Sequence, residues 1–90
     1  MATYIMLGRY STEGIKGTSK ERTKAVVDEI KKNKGKVSAM YAMLGNYDLC
    51  FVVDFPTNNE AMKASVNIAK ATGIGFRTLP AMSADEFDRL

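Results

Sequence analysis

The run Tyr47-Asp-Leu-Cys-Phe-Val-Val-Asp-Phe55 places the strongest constraint on how this chain can fold. Its β-branched and aromatic content, and its stop at Pro56, read as a strand. Side chains on a strand alternate between two faces. One face would hold Tyr47, Leu49, Phe51 and Val53, the other Asp48, Cys50, Val52 and Asp54, so apolar groups fall on both. The same holds in Ala2–Tyr10, where Ile5 and Leu7 oppose Tyr4, Met6 and Tyr10. It holds again in Lys36–Leu44, where Val37, Ala39, Tyr41 and Met43 oppose Met40, Ala42 and Leu44. A half-solvated antiparallel strand would alternate apolar with polar residues instead. These strands need cover on both sides.

Three capping-box patterns divide the chain: Thr18-x-x-Glu21, Thr57-x-x-Glu60 and Ser83-x-x-Glu86. In each, a hydroxyl accepts from an early helical N–H and a glutamate three residues on reaches back. The first predicts a helix over about residues 19–33, with Thr23, Val26, Val27 and Ile30 inward and a stop at Gly35. The second predicts a helix over about 58–72, with Ala61, Met62, Ser65, Ile68 and Ala69 inward and a stop at Gly73. The third predicts a short helical turn over Ala84–Arg89. Ile74–Leu79 supplies a fourth strand, and Gly45-Asn46 reads as a two-residue hairpin turn between the second and third. The order is β-α-β-β-α-β over residues 1–90, with no linker, repeat or low-complexity segment between. Two right-handed crossovers around one hairpin make an α+β ferredoxin-like sandwich, a four-stranded antiparallel sheet with two helices on one face.

Two helices cover only one face of such a sheet. The simplest cover for the other is a second copy, because two-fold homodimers dominate soluble assemblies. Four strands from each chain would then close into one sandwich or barrel, adding core that a chain of 90 residues is short of.

Composition excludes several classes. At 46% hydrophobic residues and a net charge of +3 the chain collapses rather than staying disordered. Cys50 is the sole cysteine, so no disulfide framework exists, and one thiol suits a reducing, cytoplasmic setting. There is no histidine. With one Cys and no His, tetrahedral zinc and iron–sulfur sites are out, and no metal or cofactor is expected. The apolar start Met1–Gly8 lacks a basic leader and is too short for a signal segment. No window approaches the ~18–20 apolar residues of a membrane span. Residues 1–36 hold nine Lys/Arg against four Asp/Glu, but Glu21, Asp28 and Glu29 interrupt the run, which reads as a solvated helix face. RNA-recognition modules share the topology and stack bases on a basic, aromatic third strand. Here that strand has no leading base and carries Asp48 and Asp54, which would repel phosphate. Nucleic acid is not an expected partner.

The turn Gly45-Asn46-Tyr47-Asp48 resembles the signature of the GYD-domain family, small bacterial and archaeal proteins of the dimeric α/β-barrel type. The likeness spans nearly the whole chain. It takes in Tyr10-Ser-Thr-Glu-Gly-Ile15, Arg22, Gly35-Lys36, Asp54-Phe-Pro56 and Gly75-Phe-Arg77-Thr-Leu-Pro-Ala81. It implies the barrel fold and self-association, and assigns no activity. Related barrels include cofactor-free monooxygenases, haem-dependent enzymes and the amino-acid-sensing modules of Lrp/AsnC-type regulators. The DNA-binding domain of such regulators has no counterpart here.

Several side chains could carry chemistry. By alternation Asp48 points to the face assigned to the interface, where a carboxylate must be solvated, paired or reactive. Arg77 on the fourth strand is a candidate partner, and the alternative is that Asp48 accepts backbone N–H groups and fixes the turn. Tyr4, Tyr41, Tyr10 and Tyr47 offer hydroxyls to a ligand or pack in the core. Met6 and Met40 suit an adaptable cavity equally well. Cys50, with no histidine beside it, reads as a small buried hydrophobe.

The expectation is a homodimer, or a multiple of it, that binds a small molecule between sheet and helices or at the interface. Tyr4, Tyr41, Arg77, Met6 and Met40 would line the site with Asp48. The enzymatic alternative is a cofactor-free oxygenase or isomerase with Asp48 as base and Tyr47 or Tyr41 orienting the substrate. The structural alternative is a self-assembly module without a ligand.

Overall fold

The computed structural model describes residues 1–11, 17 and 19–90. Strands β1 (Ala2–Arg9), β2 (Lys36–Ala42), β3 (Leu49–Phe55) and β4 (Gly75–Ala81) form one antiparallel sheet in the order β2-β3-β1-β4. Helices α1 (Lys20–Lys32) and α2 (Asn58–Thr72) lie against one side of it, and α3 (Ala84–Asp88) follows β4. This is the expected α+β ferredoxin-like arrangement, with β1 at the centre between β3 and β4.

The core lies between the sheet and the two helices. Tyr4 and Met6 from β1 meet Phe51, Val53 and Phe55 from β3, and Val26, Ile30, Ala61, Ala64 and Ile68 cover them from the helices. Tyr4 and Phe55 meet edge to face at 5.8 Å, a favoured aromatic geometry. On α2 the inward stripe is Ala61, Ala64 and Ile68, whereas Met62 is 68% exposed. The expectation that Met62 faces inward is therefore corrected. Ala64, fully buried, takes the place that a bulkier residue would fill, and lets the helix sit close.

The helix ends also refine the expected boundaries. The N-cap of α1 is Ser19, whose hydroxyl accepts Arg22 N–H at 3.0 Å. The expected cap, Thr18, lies outside the described residues. At the far end Asn33 is the C-cap and Lys34 takes the left-handed conformation at φ 65°. Gly35 N–H then returns to Ile30 C=O at 2.9 Å, the bond that closes a Schellman turn. So Gly35 does not supply the positive φ. It is required because a Cβ there would lie 2.6 Å from Phe55 and 2.7 Å from Ile30. Helix α2 ends as expected, on a left-handed Gly73.

Strand β2 departs from simple alternation. Val37 pairs with Val53 but Ala39 with Val52, so Ser38 is an extra residue, a β-bulge. Val37 and Met40 consequently pack on the helix side, and Ala39 and Tyr41 lie on the other. The expectation that Val37, Ala39 and Tyr41 share a face fails at this residue. Nor is the hairpin a two-residue turn. Met43 N–H bonds to Asp48 C=O at 2.8 Å, leaving four residues, Leu44–Tyr47, in the connection.

The side of the sheet away from the helices is uncovered in the single chain. It holds Ile5 and Leu7 of β1, Cys50 and Val52 of β3, Ala39 and Tyr41 of β2, and Leu79 of β4. Leu79 is 45% and Tyr41 61% exposed.

Candidate functional site

The end of β1 and the β2–β3 connection are stitched together residue by residue. Asp48 N–H donates to Gly8 C=O at 2.8 Å. Arg9 Nε donates to Asn46 C=O at 2.6 Å, and its guanidinium lies 5.7 Å over the Tyr47 ring. Tyr10 N–H donates to the Asp48 carboxylate at 2.8 Å. These contacts commit Asn46, Tyr47 and Asp48 to β1, which is why they cannot form a tight two-residue turn.

Tyr10 is thereby held at the mouth of a cavity of about 160 Å³ at this end of the sheet. Its ring carries the Arg22 guanidinium at 5.1 Å, a cation–π contact. Met40, Leu49, Phe51 and Ile74 make the apolar floor, with Tyr41 and Thr23 at the rim. Arg22 is half-buried and reaches the cavity from the first turn of α1. The cavity therefore combines one fixed cation, phenol hydroxyls and an apolar bed.

A second cavity of about 290 Å³ opens between α2 and β4, bordered by Tyr4, Asn58, Met62, Ser65, Phe76 and Thr78, among others. Its polar groups are already engaged. Tyr4 OH donates to Asn58 Oδ1, and the Ser65 and Thr78 hydroxyls are 2.6 Å apart while Ser65 also bonds Ala61 C=O.

The residues expected to line one site are dispersed. Tyr41 and Met40 border the first cavity and Tyr4 the second. Met6 is fully buried in the core. Arg77 is exposed on the open sheet face, opposite Leu7. Asp48 sits just before β3, half-buried, and among the described residues its carboxylate meets Tyr10 N–H rather than Arg77. Tyr47 stacks under Arg9 and borders neither cavity. Sequence reasoning singled out Arg22 only within the family likeness, and Tyr10 only there and as one tyrosine of four. No local pattern joins them, because the contact spans the β1–α1 connection.

Among the described residues no group of three or more His, Cys, Asp or Glu side chains is placed to hold a metal ion. No helix among them is long and apolar enough to cross a membrane.

The sheet order and the helices on one side define a ferredoxin-like α+β protein. Residues 4–90 match the model of the GYD domain, and the chain belongs to the GYD-domain family. Among solved structures it is similar to the leucine response regulatory protein of Mycobacterium tuberculosis, at a TM-score of 0.60 and 7% identity. That similarity covers 92% of this chain and 51% of the regulator, so this chain spans about half the regulator's length. At such identity the likeness is one of fold. No curated protein matches the chain.

Proposed function

We propose that this protein is a small-molecule-binding module that works as a self-associated pair of chains, with the cavity beside Tyr10 and Arg22 as its ligand site. The observation that carries the reading is the Arg22 guanidinium, fixed over Tyr10 above an apolar floor. The guanidinium, the neighbouring tyrosines and the apolar floor together suit a ligand with a polar, hydrogen-bonding head and an apolar body. The volume, about 160 Å³, suits a compact molecule of amino-acid size. The fold neighbour's name, a leucine response regulator, supports ligand sensing over catalysis. So does Asp48, the residue expected to act as base, whose carboxylate is occupied by a backbone N–H. Self-association is supported by the open sheet face, where Ile5, Leu7, Val52 and Leu79 gather without cover. A cytoplasmic setting suits the single free thiol, Cys50.

Native mass spectrometry of the purified protein reads subunit number and any retained molecule together. Calorimetry with L-leucine and a panel of short apolar carboxylates then tests the site. Binding that falls tenfold or more in Arg22→Ala supports it, since a lost charge-assisted pair costs about 1.5–3 kcal/mol. A protein that carries no adduct and binds nothing in the panel, or an Arg22→Ala variant that binds as the wild type does, overturns it.

A further inference from the structure

Helix α3 is folded, yet none of its residues is buried. Every residue from Met82 to Leu90 is exposed. The helix is nonetheless capped: Ser83 Oγ accepts Glu86 N–H at 3.1 Å, and Phe87 N–H closes on Ser83 C=O at 3.0 Å. Isolated helices shorter than about 12–15 residues are marginal in water, and a helix of 5 residues would gain from a surface to lie on. Its apolar groups point outward: Phe87 is 65% exposed, and Leu90, just past the helix with its N–H bonded to Phe87 C=O at 3.1 Å, is 87% exposed.

Two observations say what covers it. First, the apolar surface is continuous. Leu79 and Ala81 stand on the open face of the sheet, opposite Ile5 and Thr3, and the chain runs from them straight into Met82, itself 49% exposed. Whatever covers the open face meets the arm as well. Second, the charges are complementary. The arm carries Asp85, Glu86 and Asp88 against Arg89. The open face carries Lys36, Arg9 and Arg77 against Asp54 and Asp48, whose carboxylates are already held, by Thr3 Oγ1 at 2.6 Å and by Tyr10 N–H at 2.8 Å. An acidic, apolar arm and a basic, apolar sheet face on one chain fit each other across two copies.

We propose that residues 82–90 form an arm that seats on a second copy of this chain, with Phe87 and Leu90 against its open sheet face and the acidic residues along its basic rim. The inference rests on the self-association proposed above. In a two-fold pair both arms make the same contact, so the interface gains four apolar anchors, two from each arm, and two charged flanks.

Sedimentation velocity of the full chain over a range of concentrations, for the wild type and for Phe87→Glu with Leu90→Glu, tests it. Phe87→Ala serves as the milder variant, and a thermal melt reports whether each protomer is intact. The arm predicts that the dimer dissociation constant rises about tenfold or more in the double variant and several-fold in Phe87→Ala. Wild-type association also weakens as salt is raised. A dimer whose dissociation constant is unchanged by both variants overturns the arm and leaves the self-association reading standing. The same holds if the variants lower the protomer's melt without touching the dimer, which would place the arm on its own chain. A wild type that is monomeric at every concentration overturns both.

Discussion

The Asp48 carboxylate accepts the backbone N–H of Tyr10 at 2.8 Å, across 38 positions of sequence. Through that bond a residue of the β2–β3 connection sets where a cavity residue lies, because Tyr10 in turn supports the Arg22 guanidinium at 5.1 Å. The family's turn motif is thus tied to the cavity through the backbone of β1 and not by lining it.

Replacing Asp48 separates charge from geometry. Asp48→Ala leaves the half-buried Tyr10 N–H without its acceptor, a loss of about 1–3 kcal/mol. In a chain of this size that lowers the melting temperature by about 4–8 °C per kcal/mol. Asp48→Asn keeps an acceptor oxygen and loses only the charge assistance, so its melt falls by roughly half as much. An Asp48→Ala protein that melts with the wild type would show that the bond contributes nothing.

Two glycines differ in what surrounds them. A methyl at Gly35 would lie 2.6 Å from Phe55, 2.7 Å from Ile30 Cγ2 and 2.9 Å from Ile30 C=O. Phe55 and Ile30 are both fully buried, and a backbone carbonyl cannot step aside. At Gly8 the nearest obstacle is the ring of Phe76 on β4, at 2.7 Å, and that residue is half-buried. Gly35→Ala should cost about 1–3 kcal/mol or more in urea unfolding, as overpacking does, and Gly8→Ala distinctly less. Equal losses would mean that Phe76 is as fixed as the core.

Lys34 occupies the left-handed region at φ 65°, where its Cβ is strained. Lys34→Gly relieves that strain at the end of α1 and should raise stability by about 0.5–1 kcal/mol, net of the glycine's greater unfolded-state entropy. Chemical denaturation reads it directly. A loss of stability would show that the Lys34 side chain contributes more than its backbone costs.

The helix caps give opposite results at two ends of the chain. Thr57 accepts Asn59 N–H at 3.2 Å and opens α2, which carries three core residues. Thr57→Ala should therefore lower the unfolding free energy by about 1 kcal/mol. Ser83→Ala removes an equally good cap from a helix that holds no buried residue, so the protomer's unfolding should not move. A drop in protomer stability in Ser83→Ala would place α3 against its own core.

Much of this architecture was legible in the residues. Apolar periodicity and hydroxyl caps located every strand and helix, and Gly73 stopped α2 where a left-handed residue was needed. What was not legible depended on contacts between distant segments. Ser19 precedes an arginine rather than a glutamate three residues on, so the better-looking Thr18 pattern masked the cap. Gly45-Asn46 has the chemistry of a short hairpin, but the pull of Gly8, Arg9 and Tyr10 on the following residues opened it. The candidate site suffered most, because alternation assigns faces within a strand and says nothing about which helix end or loop closes over them. Tyr41 and Met40 border the proposed cavity, while Arg77 and Met6 shared the pattern and lie elsewhere.

The bulge at Ser38 has a bearing on how the length of this chain can change. Strand β2 is an outer strand, where extra or missing residues are ordinarily absorbed with little consequence. Here one end is pinned at Gly35 against Phe55 and Ile30, and the other at Met43 against Asp48. Side chains change sides with each residue, so between two pinned ends an odd change of length has to be taken up by a bulge. Removing Ser38 would restore a regular ladder and leave Val37 inward and Lys36 outward, on the faces they already take. Adding one residue would demand a second bulge, or would turn the side chains beyond it to the wrong face. This stretch should therefore survive the loss of one residue better than the gain of one, because the strand already carries its spare residue at Ser38.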